Sequence, residues 1–293
     1  MTWTEDKQRV TEAYFATINL SNLELFRIIK LHFGKVEPIL PLIEFIIERF
    51  ETVTVLTMDD RIWDAEIVLR SGIEVFVKFL FITTAEKVEQ EKRIDEFWNQ
   101  LAEVNLIKQS EQAKKNLKHL GQYEIHNLAN MPLLLSEERE KELREKWTKV
   151  ERQKLEQKWS FSEIVSSLSK NFRGKPLEIF ETISHGYRMS SHVTHGDETG
   201  ILIIRERNSR PEADRDLAYF GHYLRLLSDV SNYCNLVGIE TMNFLGLKTD
   251  FFFENRATLN DIQELTEKYH NDLFSDKDYD KFRKETIDKK EML

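Results

Sequence analysis

One cysteine, five prolines and ten glycines in 293 residues leave little material for cross-links or tight turns. Cys234 has no partner within the chain, so no internal disulfide forms, which fits a reducing compartment. It lies in the apolar stretch "SDVSNYCNLVGI" with no basic residue close in sequence, as expected of a buried structural thiol. All-β folds need many turns, and turns draw on glycine and proline, so their scarcity favours long helices with few connections. Also missing are a glycine-rich phosphate loop, a Gly-x-Ser-x-Gly elbow, a Cys-x-x-Cys pair, a His-Glu-x-x-His motif and an adjacent His-Asp pair. The first three absences count against nucleoside-triphosphate hydrolysis, serine-hydrolase chemistry and zinc-finger DNA binding, and the last two against a metal-dependent phosphohydrolase.

A membrane-spanning run is lacking too. The most apolar stretch, "IEVFVKFLFITTA", contains Lys78 and falls short of the roughly 20 residues a span requires. The first ten residues, "MTWTEDKQRV", carry acids and no apolar core, unlike a signal peptide, so the expected location is the cytoplasm. Basic charge is in deficit, with a net of −9, which argues against a broad surface for coating nucleic acid and leaves room for a small local phosphate site.

What is present is helical periodicity. Apolar residues 41% and charged residues 32% describe a globular chain. Val10, Tyr14 and Ile18, then Leu25, Ile28, Ile29 and His32, recur at three- and four-residue intervals, with Ser21 a candidate cap for a second helix ending at Gly34. A short amphipathic helix is predicted over 42–50. One long helix, or two in line, is predicted over 59–105, where Gly72 allows close packing or a bend. Residues 108–135 read as a linker with short helices, 136–159 as one strong helix capped by Ser136, and Ser162 as the cap of the next. "GKP" breaks the chain at 174–176, a helix follows over 177–195, and "ILIIRERN" (201–208) reads as a short strand or extended loop. Long helical spacing returns over 212–240, and Thr258 or Asn260 opens a last helix before a charged tail. The expectation is an all-α multi-helix bundle. Helices of 1–55 pack on a core domain of 56–245, and 246–293 form a C-terminal helix and tail.

The most unusual local feature is "SHGYRMSSHVTHGDE". On a helix turning 100° per residue, with His185 at the origin, Arg188 falls at about 300°, His192 at about 340° and His195 at about 280°. Ser191 stands beside them at about 240°. Three imidazoles, a guanidinium and a hydroxyl therefore share one stripe, where a solvated face would more usually carry lysine and glutamate. Histidine exchanges protons near neutral pH, and arginine grips phosphate through paired hydrogen bonds. RNA brings its own nucleophile, so one base and one cation suffice for cleavage without cofactor or metal. Gly196, just past the helix end, suits a left-handed cap. The plain alternative is a polar seam between helices. A third is a divalent-metal phosphohydrolase using His192, His195, Asp197 and Glu198, with His222 as a further candidate ligand.

Arg188 followed seven residues later by His195 resembles the Arg-x(4–6)-His motif of the HEPN superfamily. That resemblance implies a HEPN-like helical core with extra N- and C-terminal helices. It also implies metal-independent ribonuclease chemistry of toxin–antitoxin or antiphage type, and an active site built across a homodimer. A second resemblance, over roughly 55–240, is to an uncharacterised bacterial helical family with an Arg-Ser-x-x-Glu helix and a later Tyr-x-x-x-Ser-x-x-x-His segment. Here these are Arg70, Ser71 and Glu74, then Tyr187, Ser191 and His195. It brings no activity, but implies that the two segments meet. Arg70 and Glu74 would pair with each other, or Glu74 would hold His195 or Arg188. The expected catalytic set is Arg188 and His195, assisted by His192, Ser191 and Tyr187 and supported by Arg70 and Glu74. Expected partners are RNA, a protein partner or antitoxin, and a second copy of the chain, with no membrane. A non-enzymatic adaptor or antitoxin is the competing class, suited by the acidic charge and the mixed-charge helix of 136–159.

Overall fold

The computed structural model describes residues 3–172 and 180–260, with 262, 264–267 and 269 beyond them. Helix α1 (Trp3–Leu31) is followed by the single turn α2 (Phe33–Val36), then α3 (Leu40–Met58) and α4 (Ile62–Thr83). Next come α5 (Lys87–Asp95), a π-helical turn (Glu96–Gln100), α6 (Leu101–Leu120), α7 (Glu124–Asn130), a 3-10 turn (Met131–Leu133), α8 (Glu137–Lys146), α9 (Lys149–Lys158) and α10 (Phe161–Phe172). The chain then forms α11 (Phe180–His195), α12 (Glu198–Ser209), α13 (Glu212–Leu245) and α14 (Asp250–Ala257). No strand occurs among the described residues. No described helix is long and apolar enough to cross a membrane.

The helices group into two compact units, cut differently from a core of 56–245 with terminal additions: the described residues of 1–83 and 179–293 form one, those of 84–178 the other. The reason lies in α13. This 34-residue helix packs along α1, α3 and α4, so the N-terminal helices belong to the main core rather than decorating it. Val10 and Tyr14 of α1 meet Phe220, Tyr223, Leu224 and Leu227 of α13. Phe50 of α3 and Phe76 of α4 lie with their ring centroids 5.4 and 5.1 Å from that of Tyr233. Gly72 permits the close packing of α3 on α4, since a Cβ there would stand 2.6 Å from the Phe50 ring. At Gly238 a Cβ would stand 2.1 Å from the ring of Phe252, which is fully buried. Gly238→Ala is therefore expected to lower stability by about 1–3 kcal/mol through overpacking, read as a shift in the urea midpoint with unchanged m-value.

Several local expectations change. Ser21 does not open a second helix: α1 runs through it, and its buried hydroxyl donates to Asn235 Oδ1 (2.9 Å) while accepting from Asn255 Nδ2 (2.8 Å). The stretch 201–208 is neither strand nor loop but lies in α12, because Asp197 caps that helix by accepting from Gly200 N at 3.0 Å. Residues 108–135 are largely helical, with α6 reaching Leu120. Residues 136–159 split at Trp147–Thr148, where Thr148 and Glu151 form a capping box that starts a new helix. Ser136 caps α8 as expected. Ser160, not Ser162, takes the cap position before α10, its hydroxyl accepting from Glu163 N at 3.4 Å. Cys234 is buried, which pushes its thiol well up. The break at 174–176 and the charged tail lie outside the described residues. In the 84–178 unit, buried Glu96 anchors α9, accepting from Lys158 Nζ (2.8 Å) and Trp159 Nε1 (3.1 Å).

Candidate functional site

On α4 the polar residues Glu66, Arg70 and Glu74 recur every fourth position and so line one stripe of an otherwise apolar helix. That stripe faces α11, which runs antiparallel to α4, so later residues of one meet earlier residues of the other. Ser190 Oγ donates to Glu66 Oε2 at 2.6 Å. One turn earlier on α11, the Tyr187 hydroxyl accepts from Arg70 Nη2 at 3.0 Å and donates to Glu74 Oε2 at 3.4 Å. The Arg70 guanidinium lies 4.7 Å from the centre of the Tyr187 ring, within cation–π range. Burial, followed by the Glu74 carboxylate, pushes the Tyr187 hydroxyl up, with Arg70 opposing. The two segments thus meet, and Tyr187 is where they meet. Arg70 and Glu74 spend their charges on that tyrosine rather than on each other, and Glu74 pairs with Lys78 (3.4 Å), not with His195 or Arg188.

The stripe of Arg188, His192 and His195 lies on the far side of α11 from α4. Ser190, which touches Glu66, stands at about 140° on the wheel that puts the stripe near 300°. Arg188 and His195 are exposed and make no hydrogen bond or ion pair with the described residues. Ser191 is half-buried. His192 Nδ1 lies 2.7 Å from Asp197 Oδ2. The backbone N–H of Gly200 and then His192 hold the Asp197 carboxyl below the usual range. Gly196, at φ +57, turns the chain between α11 and α12 in the left-handed conformation. Asp197 is thus committed to capping and to one imidazole. Among the described residues no group of three or more His, Cys, Asp or Glu gathers around one point, so His192, His195 and Asp197 do not form the expected alternative metal set. The side chain of His185 lies outside the described residues.

The densest polar network was only partly legible in the sequence. His222 of α13 is buried between α4 and α12, its Nε2 2.5 Å from Glu66 Oε1 and its Nδ1 2.6 Å from Arg207 Nη1. Guanidinium can only donate, so Nδ1 must accept, and the ring's single proton sits on Nε2 and is donated to Glu66. Arg225 also pairs with Glu66, and with Asp229 Oδ2 at 2.8 Å. Glu66 therefore gathers Ser190, His222 and Arg225 onto one carboxylate. Burial first, then the Arg207 cation, push His222 down to about 3, with Asp229 opposing. A second proton would have to go on Nδ1, breaking the Arg207 bond and setting two cations face to face. Glu66 lies four residues before Arg70 inside an apolar run, a signal that could have been read. Arg207 and Arg225 carry no such local mark.

Neutral His222 has a measurable consequence. The unfolded chain binds a proton near the ordinary histidine value, and the folded one does not until far lower pH. Stability is thus full above pH 6.5 and is lost as pH falls toward 3. Between about pH 7 and pH 5 the expected loss is roughly 2 kcal/mol. Asp229 and Glu240, whose carboxyls burial pushes up, act in the opposite sense. The reading is therefore the difference from His222→Gln, whose amide can accept from Arg207, donate to Glu66 and not titrate. Equal pH slopes for the two proteins in urea denaturation would mean that His222 is charged in the native state.

No curated protein and no solved structure matches the chain. A family model does, that of "Family of unknown function (DUF5677)", over residues 36–209. That span takes in Glu66, Arg70, Glu74 and the whole of α11, and stops before His222 and Arg225. Covering more than half of the sequence, it shows that the chain belongs to this family of unknown function.

Proposed function

We propose that the protein is an endoribonuclease-like effector of a bacterial toxin or antiphage system, built on a HEPN-like helical core, that cleaves RNA without a metal ion. Arg188 binds the phosphodiester and stabilises the charge that builds as the RNA 2′-hydroxyl attacks phosphorus. His195 takes the proton from that hydroxyl or returns one to the departing 5′-oxygen. His192 and Ser191 assist from the same stripe. Tyr187, fixed by Arg70 and Glu74, holds α11 in register.

The observation that carries this reading is that Arg188 and His195 are exposed on one face of α11, without partners among the described residues, while the opposite face is anchored to α4. Side chains with phosphate and proton chemistry are thereby left available on a fixed support. Seven residues of helix separate the two by about 10 Å along the axis, more than one phosphate group spans. A homodimer that brings Arg188 of one copy beside His195 of another would close that gap.

A second reading, a helical adaptor or antitoxin without catalysis, draws on Tyr123, Ile125, Leu128 and Met131, which the 84–178 unit leaves largely in solvent. One experiment separates the readings: incubation of the purified protein and of His195→Ala with total cellular RNA and with tRNA in excess EDTA. Cleavage by the wild type that the variant lacks is the expected result. Cleavage appearing only after Mn²⁺ or Zn²⁺ is added would overturn the metal-free mechanism. The same products from both proteins would remove His195 from it, and inactivity under every condition favours the adaptor.

A further inference from the structure

The other side of α11 borders a cavity of about 530 Å³ within the 1–83 and 179–293 unit, walled by α4, α11, α12 and α13. Its volume is that of a typical small-molecule site. Its apolar lining includes Trp63, Val193 and Ile203. Its charged lining is three guanidiniums, Arg207, Arg210 and Arg225, against two carboxylates, Glu66 and Asp229. Both carboxylates are already taken, Glu66 by Ser190, His222 and Arg225, and Asp229 by Arg225. Arg210, just past the end of α12, is matched by Glu206 of that helix, at 2.7 Å.

Arg207 is the exception. Its only described contacts are neutral His222 and the face of Trp63, 4.7 Å from the guanidinium. It makes no ion pair with a described carboxylate, and Glu206, the acid beside it in sequence, is engaged by Arg210. Burial, followed by the neighbouring Arg210 cation, pushes Arg207 down from its ordinary value, with the Glu206 carboxylate opposing. A half-buried cation held by neutral groups costs free energy that an anion would relieve, and guanidinium has donors left over after one bond to His222.

We infer that this cavity binds a small organic anion, its phosphate or carboxylate held by Arg207 with Arg210 beside it and its apolar body against Trp63, Val193 and Ile203. The site shares no ligand-binding residue with the Arg188–His195 stripe, which lies on the opposite face of α11, so it stands or falls separately from the ribonuclease reading. The protonated Nε2 of His222 is spent on Glu66, so His222 serves as a neutral acceptor that aims the Arg207 fork rather than as a ligand group.

The test is calorimetric titration of the full chain at low salt with 1-naphthyl phosphate, 1-naphthoate and neutral 1-naphthol. At least one of the anions is expected to bind about tenfold or more tightly than the alcohol, and the preferred anion identifies the headgroup chemistry. Arg207→Gln is expected to remove about tenfold of that affinity. Arg210→Gln changes a residue at the end of α12 whose carboxylate partner Glu206 is exposed, and is expected to remove a smaller share. Naphthol binding as well as the anions, no binding of either anion, or wild-type affinity in both variants overturns the proposal.

Discussion

Glu66→Ala is expected to destabilise the protein by about 3–5 kcal/mol, the range found when one partner of a buried charge network is removed. The Glu66 side chain is 6% exposed and receives three donors, from Ser190, His222 and Arg225. Alanine leaves the His222 N–H buried with nothing to receive it. It also removes the carboxylate that ties Ser190 of α11 and His222 and Arg225 of α13 to α4. Arg225 contributes least to the loss, since its side chain is 41% exposed and keeps Asp229. Glu66→Gln is expected to cost much less, because its carbonyl oxygen still accepts from His222 and its amide can donate to Ser190, whose hydroxyl already reaches Gly186 O at 3.0 Å. Urea denaturation of the two variants beside the wild type reads both effects. A loss under about 1 kcal/mol for alanine would mean that the carboxylate contributes no more than a surface group.

The second large effect concerns activity. If α11 carries RNA cleavage, His195→Ala is expected to slow it by about 10²–10⁴-fold, the usual worth of a general acid or base. The same change should move stability by no more than about 0.5 kcal/mol, because the side chain is exposed and has no partner among the described residues. Arg188→Lys keeps the charge but loses the two-pronged grip on phosphate, so it should fall between wild type and Arg188→Ala. Mixing the separately inactive Arg188→Ala and His195→Ala proteins restores part of the cleavage only if the two residues come from different copies. That result would establish the composite dimer, and its absence would confine the site to one chain. A stability loss in His195→Ala matching its activity loss would reduce the stripe to a structural role.

Helical character was legible residue by residue. Three- and four-residue apolar spacing, few glycines and prolines, and caps such as Ser136 depend only on near neighbours along the chain, and they place the start of α8, and α11 and α13, close to where they stand. The meeting of the Arg70 helix with the Tyr187 helix was implied by the family resemblance rather than by local spacing, and the partner expected for Glu74 was not the one found. Where local reading failed, a distant group had intervened. Ser21 looked like a cap and became a cross-link to Asn235 and Asn255, both more than 200 residues away in sequence. The 201–208 run looked β-like from its isoleucines, yet one capping bond at Asp197 set it as a helix.

The sequence by itself therefore determined the helical class, the apolar α4 with its polar stripe, and the concentration of histidine and arginine on α11. Each follows from the 3.6-residue turn, which converts spacing into a face. Only the tertiary structure decided which face of α11 is anchored and which is open. It alone brought His222 and Arg225 to Glu66 and left Arg207 without an ion pair among the described residues. Those outcomes depend on helices far apart in sequence sharing a low-dielectric space, where each charge must find a partner of opposite sign or a hydrogen-bonding group of matching geometry, and no local spacing encodes that choice.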